Sequence, residues 1–310
     1  MSLIVVGTMA FDAIETPFGK IDKIVGGSAT YVAYAASNFI QPINQVSIIG
    51  CDFPEEEMAE LRARGVVLDG VEIIKDKKSF FWSGRYREDM NSRDTLITDL
   101  NVLADFNPKL PRSYVNSEFV MLGNLQPTVQ MNVIKQLKKP KLIVMDTMNY
   151  WMEAAMPELE KVLKQVDALL INDAEARQLS GQYSLVKAAK TILKMGPKFL
   201  IVKKGEHGAL LFHADKVFFA PALPLEEVFD PTGAGDTFAG GFMGHMARTK
   251  DVSFENMKTA IIVGSAMASF CVEKFGTQRL KELKREDIDK RIQQFKDLTK
   301  FEINLDNHWD

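Results

Sequence analysis

Short continuous apolar runs alternate along the chain with segments of helical periodicity. Runs of this kind occupy residues 3–6, 46–49, 119–122, 142–145, 168–171 and 199–202. Uninterrupted runs of this length are typical of strands buried on both faces of a parallel sheet. The intervening segments predict helices at about 28–39, 54–64, 128–138, 152–165, 173–180 and 184–195. This alternation predicts an α/β fold with a central, mostly parallel sheet.

The last third of the chain and two earlier segments do not follow this alternation of strands and helices. Residues 208–223 predict two strands, and helices are expected at about 236–248, 254–273 and 286–298. Segments 13–25 and 79–103 carry β-like patches in polar surroundings without a crossover helix. A small second sheet standing off the main one explains both segments. Two surface hairpins without function are the alternative.

The amino-acid composition excludes several classes of binding partner and site. The 310 residues include 38 Lys+Arg and 41 Asp+Glu, and the net charge of -3 gives no electrostatic footprint for nucleic acid. Cys51 and Cys271 belong to no CxxC motif, so neither a disulfide framework nor a zinc site is expected, and a cytoplasmic setting is predicted. The uncharged stretch 24–51 is interrupted by polar residues, which favours helix, turn and strand over a membrane span.

The most informative stretch of the chain runs from Asp230 to Phe242. A glycine-rich turn leads directly into a helix, so the backbone N–H groups of Gly233, Ala234, Gly235 and Asp236 can converge on an anion at the positive end of that helix. We therefore predict a phosphate site here. A carboxylate at Asp236 repels an anion bound at this turn. That cost is expected only if the carboxylate has a chemical function, such as accepting a proton from a substrate hydroxyl. Simple capping of the helix by Asp236 is the alternative.

Residues 230–238 read Asp-Pro-Thr-Gly-Ala-Gly-Asp-Thr-Phe, and this stretch resembles the C-terminal signature of the ribokinase-like (PfkB) carbohydrate kinases. The pair Gly26-Gly27, which opens a predicted helix, resembles the N-terminal signature of the same family. Tyr31 stands where that signature usually has Asn. The resemblance extends from Asp12 to Gly276-Thr277.

The resemblance implies roles for residues spread along the chain. In the catalytic turn it implies Asp236 as the base and an anion hole of Gly233, Ala234 and Gly235. Around the nucleotide it implies contacts from Asn172, Glu175, Lys203, Gly205 and Gly208, with Asn172 and Glu175 holding Mg²⁺ through water. Around the acceptor it implies Asp12, Gly26, Gly27 and Tyr31. It also implies a monovalent cation near Asp230.

Two further groups of residues are candidates on position alone. Asp146 and Asn149 follow a predicted strand and so lie where strand ends face the ligand crevice of an open sheet. Arg85, Arg87 and Arg93 lie in the segment 79–103, where they either reach bound phosphate or substrate or are simply solvated.

The resemblance also implies the fold and the activity. We expect a ribokinase-like fold in which residues 1–310 form one unit, with a small β-sheet lid from about 13–25 and 79–103. We expect an ATP- and Mg²⁺-dependent kinase that phosphorylates a hydroxyl of a sugar or sugar-like molecule. A nucleoside kinase of the same family and a non-catalytic ligand-binding homologue are the alternatives. We expect no nucleic-acid or membrane partner. We expect a homodimer that forms through the lid.

Overall fold

The computed structural model describes residues 2–300 and 302. The strands are β1 (Leu3–Val6), β2 (Ala10–Thr16), β3 (Gly19–Gly26), β4 (Ile43–Gly50), β5 (Val66–Ile74), β6 (Phe81–Tyr86), β7 (Arg93–Asp99), β8 (Phe119–Leu122), β9 (Leu142–Asp146), β10 (Ala168–Asn172), β11 (Phe199–Lys203), β12 (Ala209–His213) and β13 (Lys216–Ala220). The helices are α1 (Ser28–Ala36), α2 (Glu55–Ala63), α3 (Pro127–Gln136), α4 (Asn149–Ala154), α5 (Met156–Leu163), α6 (Asp173–Ser180), α7 (Leu185–Leu193), α8 (Ala234–Thr249), α9 (Phe254–Cys271), α10 (Gln278–Glu282) and α11 (Arg285–Thr299).

The main sheet has the strand order β13-β12-β11-β10-β9-β8-β1-β4-β5. Its pairs are parallel from β11 to β5, while β12 and β13 are added antiparallel at one edge. Strand β1 shows why the apolar runs are continuous. Leu3 and Val5 pack into a core that includes residues of α1, α8 and α9, whereas Ile4 and Val6 pack into a core that includes residues of α3 and α5. Both faces of the sheet are therefore covered by helices, as predicted.

The parallel strands bring polar residues to one edge of the sheet. Strands β9, β10 and β11 end at Asp146, Asn172 and Lys203, and Asn172 lies directly opposite Lys203 in the pairing of β10 with β11. Ligands of open α/β sheets bind at the carboxyl ends of the strands. The polar residues at these strand ends therefore face the expected ligand crevice.

The lid is a separate sheet with the order β3-β2-β6-β7. Strand β2 pairs antiparallel with β3 and parallel with β6, and β6 pairs antiparallel with β7. The second sheet predicted from 13–25 and 79–103 is therefore present. Residues directly opposite in such pairs point to the same face. Asp12 lies opposite Trp82, and Tyr86 lies opposite Arg93. The face of the sheet that carries these four side chains is the inner face of the lid.

Three elements differ from the sequence-based expectation. The single helix expected at 152–165 is two helices, α4 and α5, because the chain breaks at Ala155 (φ -149°) and Pro157 opens the second helix. Strand β5 and the short helix α10 were not predicted. Within residues 2–300, the structure has no helix that is long and apolar enough to cross a membrane.

Candidate active site

The glycine turn before α8 forms as the sequence indicates. Gly233 caps the helix with φ 75° and ψ 0°, a left-handed conformation that favours glycine. The N–H of Ala234 donates to the carbonyl of Pro231 at 3.2 Å, so this amide closes the turn and, contrary to the prediction, is not free to bind an anion. The N–H of Gly235 lies in the first turn of α8, where amides have no intrahelical acceptor. The positive end of α8 therefore faces the ligand crevice with Asp236 in its first turn.

Tyr31 explains why a glycine is needed at the start of this turn. A Cβ atom placed on Gly233 would lie only 2.4 Å from ring carbons of Tyr31. The Tyr31 side chain is buried, and its hydroxyl has no hydrogen-bond partner among the described residues. Burial raises the pKa of this phenol well above its usual range, and the nearby charges of Asp12 and Asp230 raise it further. The ring of Tyr31 therefore packs against the glycine turn, while its hydroxyl lies near the carboxyl groups of Asp12 and Asp230.

Asp12 lies on strand β2 against the glycine pair that opens α1. A Cβ atom on Gly26 would lie 1.9 Å from Asp12 Oδ2, so the carboxyl group is packed directly on that glycine. The pKa of Asp12 is raised to about 8, first by burial and then by the charges of Asp230 and Asp236, against a hydrogen bond from the N–H of Gly27. Asp12 is therefore largely protonated at neutral pH in the free protein. In this form its carboxyl group can donate as well as accept a hydrogen bond.

Asp230 ties the catalytic turn to the end of α9. Its Oδ1 accepts the N–H of Thr232 at 2.8 Å, and its Oδ2 accepts the N–H of Gly276 at 2.9 Å. The residue is fully buried, and burial raises its pKa in spite of these hydrogen bonds. Asp230 therefore links two loops close to Asp12 and Tyr31.

Lys203 and Asp146 form a buried ion pair on the other side of the turn. Lys203 Nζ lies 3.0 Å from Asp146 Oδ2, with side-chain exposures of 17% and 9%. A Cβ atom on Gly235 would lie 3.0 Å from the same nitrogen, so the ammonium group rests on the glycine turn. Burial lowers the pKa of Lys203, but the charges of Asp146, Glu175 and Asp236 outweigh this effect and raise it. Lys203 is therefore a fixed positive charge at the predicted phosphate site.

Asp236 lies in the first turn of α8, directly after Gly235 and the ammonium group that rests on it. Its pKa is raised to about 7, first by burial and then by the negative charge of Asp146, whereas Lys203 and Arg93 lower it. The same carboxylate raises the pKa of Asp12. A pKa near the working pH suits a general base, because the group is both available in its basic form and able to hold a proton.

Asn172 and Glu175 form a reciprocal cap at the start of α6. Asn172 Oδ1 accepts the N–H of Glu175 at 2.8 Å, and Glu175 Oε2 accepts the N–H of Asn172 at 2.8 Å. This capping box satisfies the backbone N–H groups of both residues at the start of the helix. The pKa of Glu175 is raised to about 7 by burial and by the charge of Asp146. Glu175 Oε1 has no hydrogen bond within residues 2–300, so it can still accept one from a water bound to Mg²⁺.

The turn after β11 is covered by the lid. A Cβ atom on Gly205 would lie 2.5 Å from Asn91 Oδ1, in the hairpin between β6 and β7. Gly208 packs on the neighbouring strand, since a Cβ atom there would lie 2.0 Å from the carbonyl oxygen of Ala220. The roles of Gly205 and Gly208 toward a nucleotide stay predictions.

The remaining residues near the site differ in their contacts. Asp146 was placed in the crevice by strand position, but its partnership with Lys203 was not anticipated, since the residues lie 57 positions apart. Asn149 is exposed at the start of α4. Thr232 and Tyr86 were missed, and Thr232 Oγ1 donates to the Tyr86 hydroxyl oxygen at 3.2 Å. No sequence signal marks this contact between the lid and the catalytic turn.

Comparison with known proteins identifies the family. The model of the pfkB family carbohydrate kinases matches residues 2–284. The chain is 30% identical over 255 residues to a cytidine kinase of Thermococcus kodakarensis, covering 80% of this chain and 89% of the relative. It is 26% identical over 306 residues to a nucleoside kinase of Methanothermobacter thermautotrophicus, covering 89% and 91%.

Its fold is similar to the crystal structure of the nucleoside kinase of Methanocaldococcus jannaschii, an archaeal member of the ribokinase family. The TM-score is 0.76 at 20% identity, with 94% of this chain and 98% of that chain covered. The predicted ribokinase-like fold is thereby confirmed. The chain belongs to the pfkB family of carbohydrate kinases, and it is a phosphotransferase of that family.

Proposed function

We propose that the protein transfers the γ-phosphoryl group of ATP to a hydroxyl of a sugar or nucleoside, with Asp236 as the general base. One observation carries this proposal: Asp236 lies in the first turn of α8, directly after Gly235, against which the ammonium group of Lys203 rests. Its charge raises the pKa of Asp12, while Asp146 and Lys203 shift its own pKa in opposite directions. A carboxylate in this position can take the proton of a hydroxyl that attacks phosphorus.

The phosphate side would be held mainly by fixed positive charge. Lys203 and the N-terminal end of α8, including the N–H of Gly235, would neutralise the phosphates. Bound Mg²⁺ neutralises charge on the phosphates, and Asn172 with Glu175 would hold it through water. The described residues contain no group of three or more His, Cys, Asp or Glu that could form a complete metal cage. An oxygen-donor site of this kind suits Mg²⁺, which retains several waters.

The acceptor would lie between the lid and the Gly26-Gly27 pair. Asp12 would bind acceptor hydroxyls, and the buried hydroxyl of Tyr31, which has no partner within residues 2–300, would be available to a ligand. Trp82 lies opposite Asp12 on the inner face of the lid and provides an aromatic surface against which a base could stack. This arrangement and the cytidine and nucleoside kinase relatives favour a nucleoside acceptor. A free sugar such as ribose is the second candidate.

The acceptor class is tested by measuring ADP release with ATP, Mg²⁺ and a panel of cytidine, uridine, adenosine, inosine, ribose and fructose phosphates. We expect turnover with at least one nucleoside and a lower kcat/KM for free ribose. Turnover with sugars alone would contradict the nucleoside assignment. No ADP release with any acceptor, together with tight binding of a nucleoside or sugar, would support the non-catalytic homologue instead.

A monovalent cation beside Asp230 stays part of the proposal. Both carboxylate oxygens of Asp230 accept backbone N–H groups, yet each retains acceptor capacity for a cation. Comparing kcat in potassium, sodium and tetramethylammonium chloride tests this directly. Equal kcat values in the three salts would contradict a role for a monovalent cation.

We further propose a single cytoplasmic unit of residues 1–310 that forms a homodimer through the lid. Strand β7 is exposed along its whole length, and Leu96, Ile97 and Leu100 leave nearly half of their surface in solvent (49%, 47% and 49%). Exposed apolar residues on an edge strand favour pairing with another chain. Light scattering should give twice the monomer mass for the wild type and for Phe219→Lys on β13, but the monomer mass for Ile97→Lys. A monomeric wild type would contradict this proposal.

A further inference from the structure

The inner face of the lid is directed at the catalytic turn. Tyr86 is on this face, and its hydroxyl oxygen accepts a hydrogen bond from Thr232 Oγ1, next to Gly233. Arg93 lies directly opposite Tyr86 in the β6–β7 pair. Opposite residues share a face, so the side chain of Arg93 extends from the same side of the lid as Tyr86.

The three arginines of the lid have different surroundings. Arg85 pairs with Glu15 at 2.7 Å, and Arg87 pairs with Asp94 at 2.8 Å. Arg93 forms no ion pair within residues 2–300, and its guanidinium carbon lies 5.8 Å from the centre of the Trp82 ring. A guanidinium group without a carboxylate partner retains its hydrogen-bond donors for a ligand.

The hairpin that carries Arg93 is held at two points. At its tip, Asn91 lies against Gly205 on the nucleotide side, and Asp89 Oδ1 accepts the N–H groups of Asn91 and Ser92. At its base, Tyr86 contacts the catalytic turn. Arg93 therefore lies between the nucleotide side and the acceptor side. In agreement with this position, its positive charge lowers the pKa of Asp236 and of Glu175.

We propose that Arg93 is a catalytic residue that donates hydrogen bonds to the phosphoryl group during transfer. This inference rests on the proposed function. In the step, a bond forms between the acceptor oxygen and the γ-phosphorus while the bond from that phosphorus to the bridging oxygen breaks. The hydroxyl proton passes to Asp236, and ADP leaves with the bonding electron pair. Negative charge on the equatorial oxygens is matched by the planar fork of a guanidinium.

The experiment compares Arg93→Ala and Arg93→Lys with Arg87→Ala, a control on the same hairpin. We expect Arg93→Ala to reduce kcat by about 10²-fold or more while the affinity for ADP, measured by calorimetry, stays within about 3-fold. Arg93→Lys should recover only part of kcat, because lysine lacks the fork. Arg87→Ala should stay close to the wild type. Added guanidinium ion should raise kcat of Arg93→Ala and leave that of Arg87→Ala unchanged.

The outcomes separate this inference from the proposed function. An active wild type in which Arg93→Ala and Arg87→Ala have the same kcat refutes the role of Arg93 alone. An equal loss of ADP affinity and kcat in Arg93→Ala also refutes it, since the residue would then serve nucleotide binding or lid structure. A wild type that releases no ADP with any acceptor refutes the proposed function and this inference together.

Discussion

Replacing Gly233 with alanine tests whether the catalytic turn is built against Tyr31. Two costs are expected. The backbone has φ 75°, which costs a non-glycine residue about 1–2 kcal/mol. The new methyl group would lie 2.4 Å from the ring of Tyr31, and overpacking of this kind costs about 1–3 kcal/mol. The free energy of unfolding should therefore fall by about 2–5 kcal/mol in Gly233→Ala.

Gly181 provides a matched control for the backbone cost. It has φ 66° at the end of α6, and a Cβ atom there would meet nothing within 4 Å. Gly181→Ala should therefore lose only about 1–2 kcal/mol in urea unfolding. Tyr31→Leu combined with Gly233→Ala should recover the overpacking cost but not the backbone cost. Equal losses for Gly233→Ala and Gly181→Ala would refute the packing of Tyr31 on the turn.

Two further predictions concern ionisation in the site. If Asp236 is the base, the acid limb of kcat/KM lies near pH 7. It should move to lower pH in Asp146→Asn and to higher pH in Lys203→Met, each by about one unit, because the first change removes a repelling charge and the second an attracting one. Shifts in the same direction would contradict this assignment. The folded-state pKa of Asp12 is about 8, above the ordinary value of 3.8, so its contribution to stability falls as pH rises between these values. Asp12→Asn should therefore raise the thermal midpoint at about pH 8 and much less at about pH 4, while weakening acceptor binding. A thermal midpoint that changes equally at both pH values would contradict the raised pKa.

The predicted bounds of helices and strands agree with the structure where the local sequence pattern is strong. The apolar runs of β1 and β8 and the periodic segment of α6 have the observed bounds. Strand β5 was missed because Asp69 and Glu72 interrupt its apolar pattern at the edge of the sheet. The break at Ala155 was also missed, although Pro157 marks the start of the second helix. A helical pattern that continues in phase across a break does not itself reveal that break.

The candidate site was predictable only in part, for a physical reason. The turn at Gly233 is a local structure, so its residues mark it in the sequence. The Asp146–Lys203 pair and the Tyr86–Thr232 contact join positions 57 and 146 residues apart. The orientation of the lid arginines depends on the strand register of β6 and β7, which shifts between Ser83 and Gly84. Such long-range pairing leaves no periodic signal in a single sequence.

The most direct test of the account is the single-turnover rate of phosphoryl transfer in Asp236→Asn at saturating ATP and acceptor. Asparagine is nearly the same size as aspartate but cannot accept the hydroxyl proton. We expect a rate lower by about 10²–10⁴-fold, with the affinities for ADP and acceptor within a few-fold of the wild type. An Asp236→Asn variant that transfers phosphoryl at the wild-type rate would contradict the assignment of Asp236 as the base.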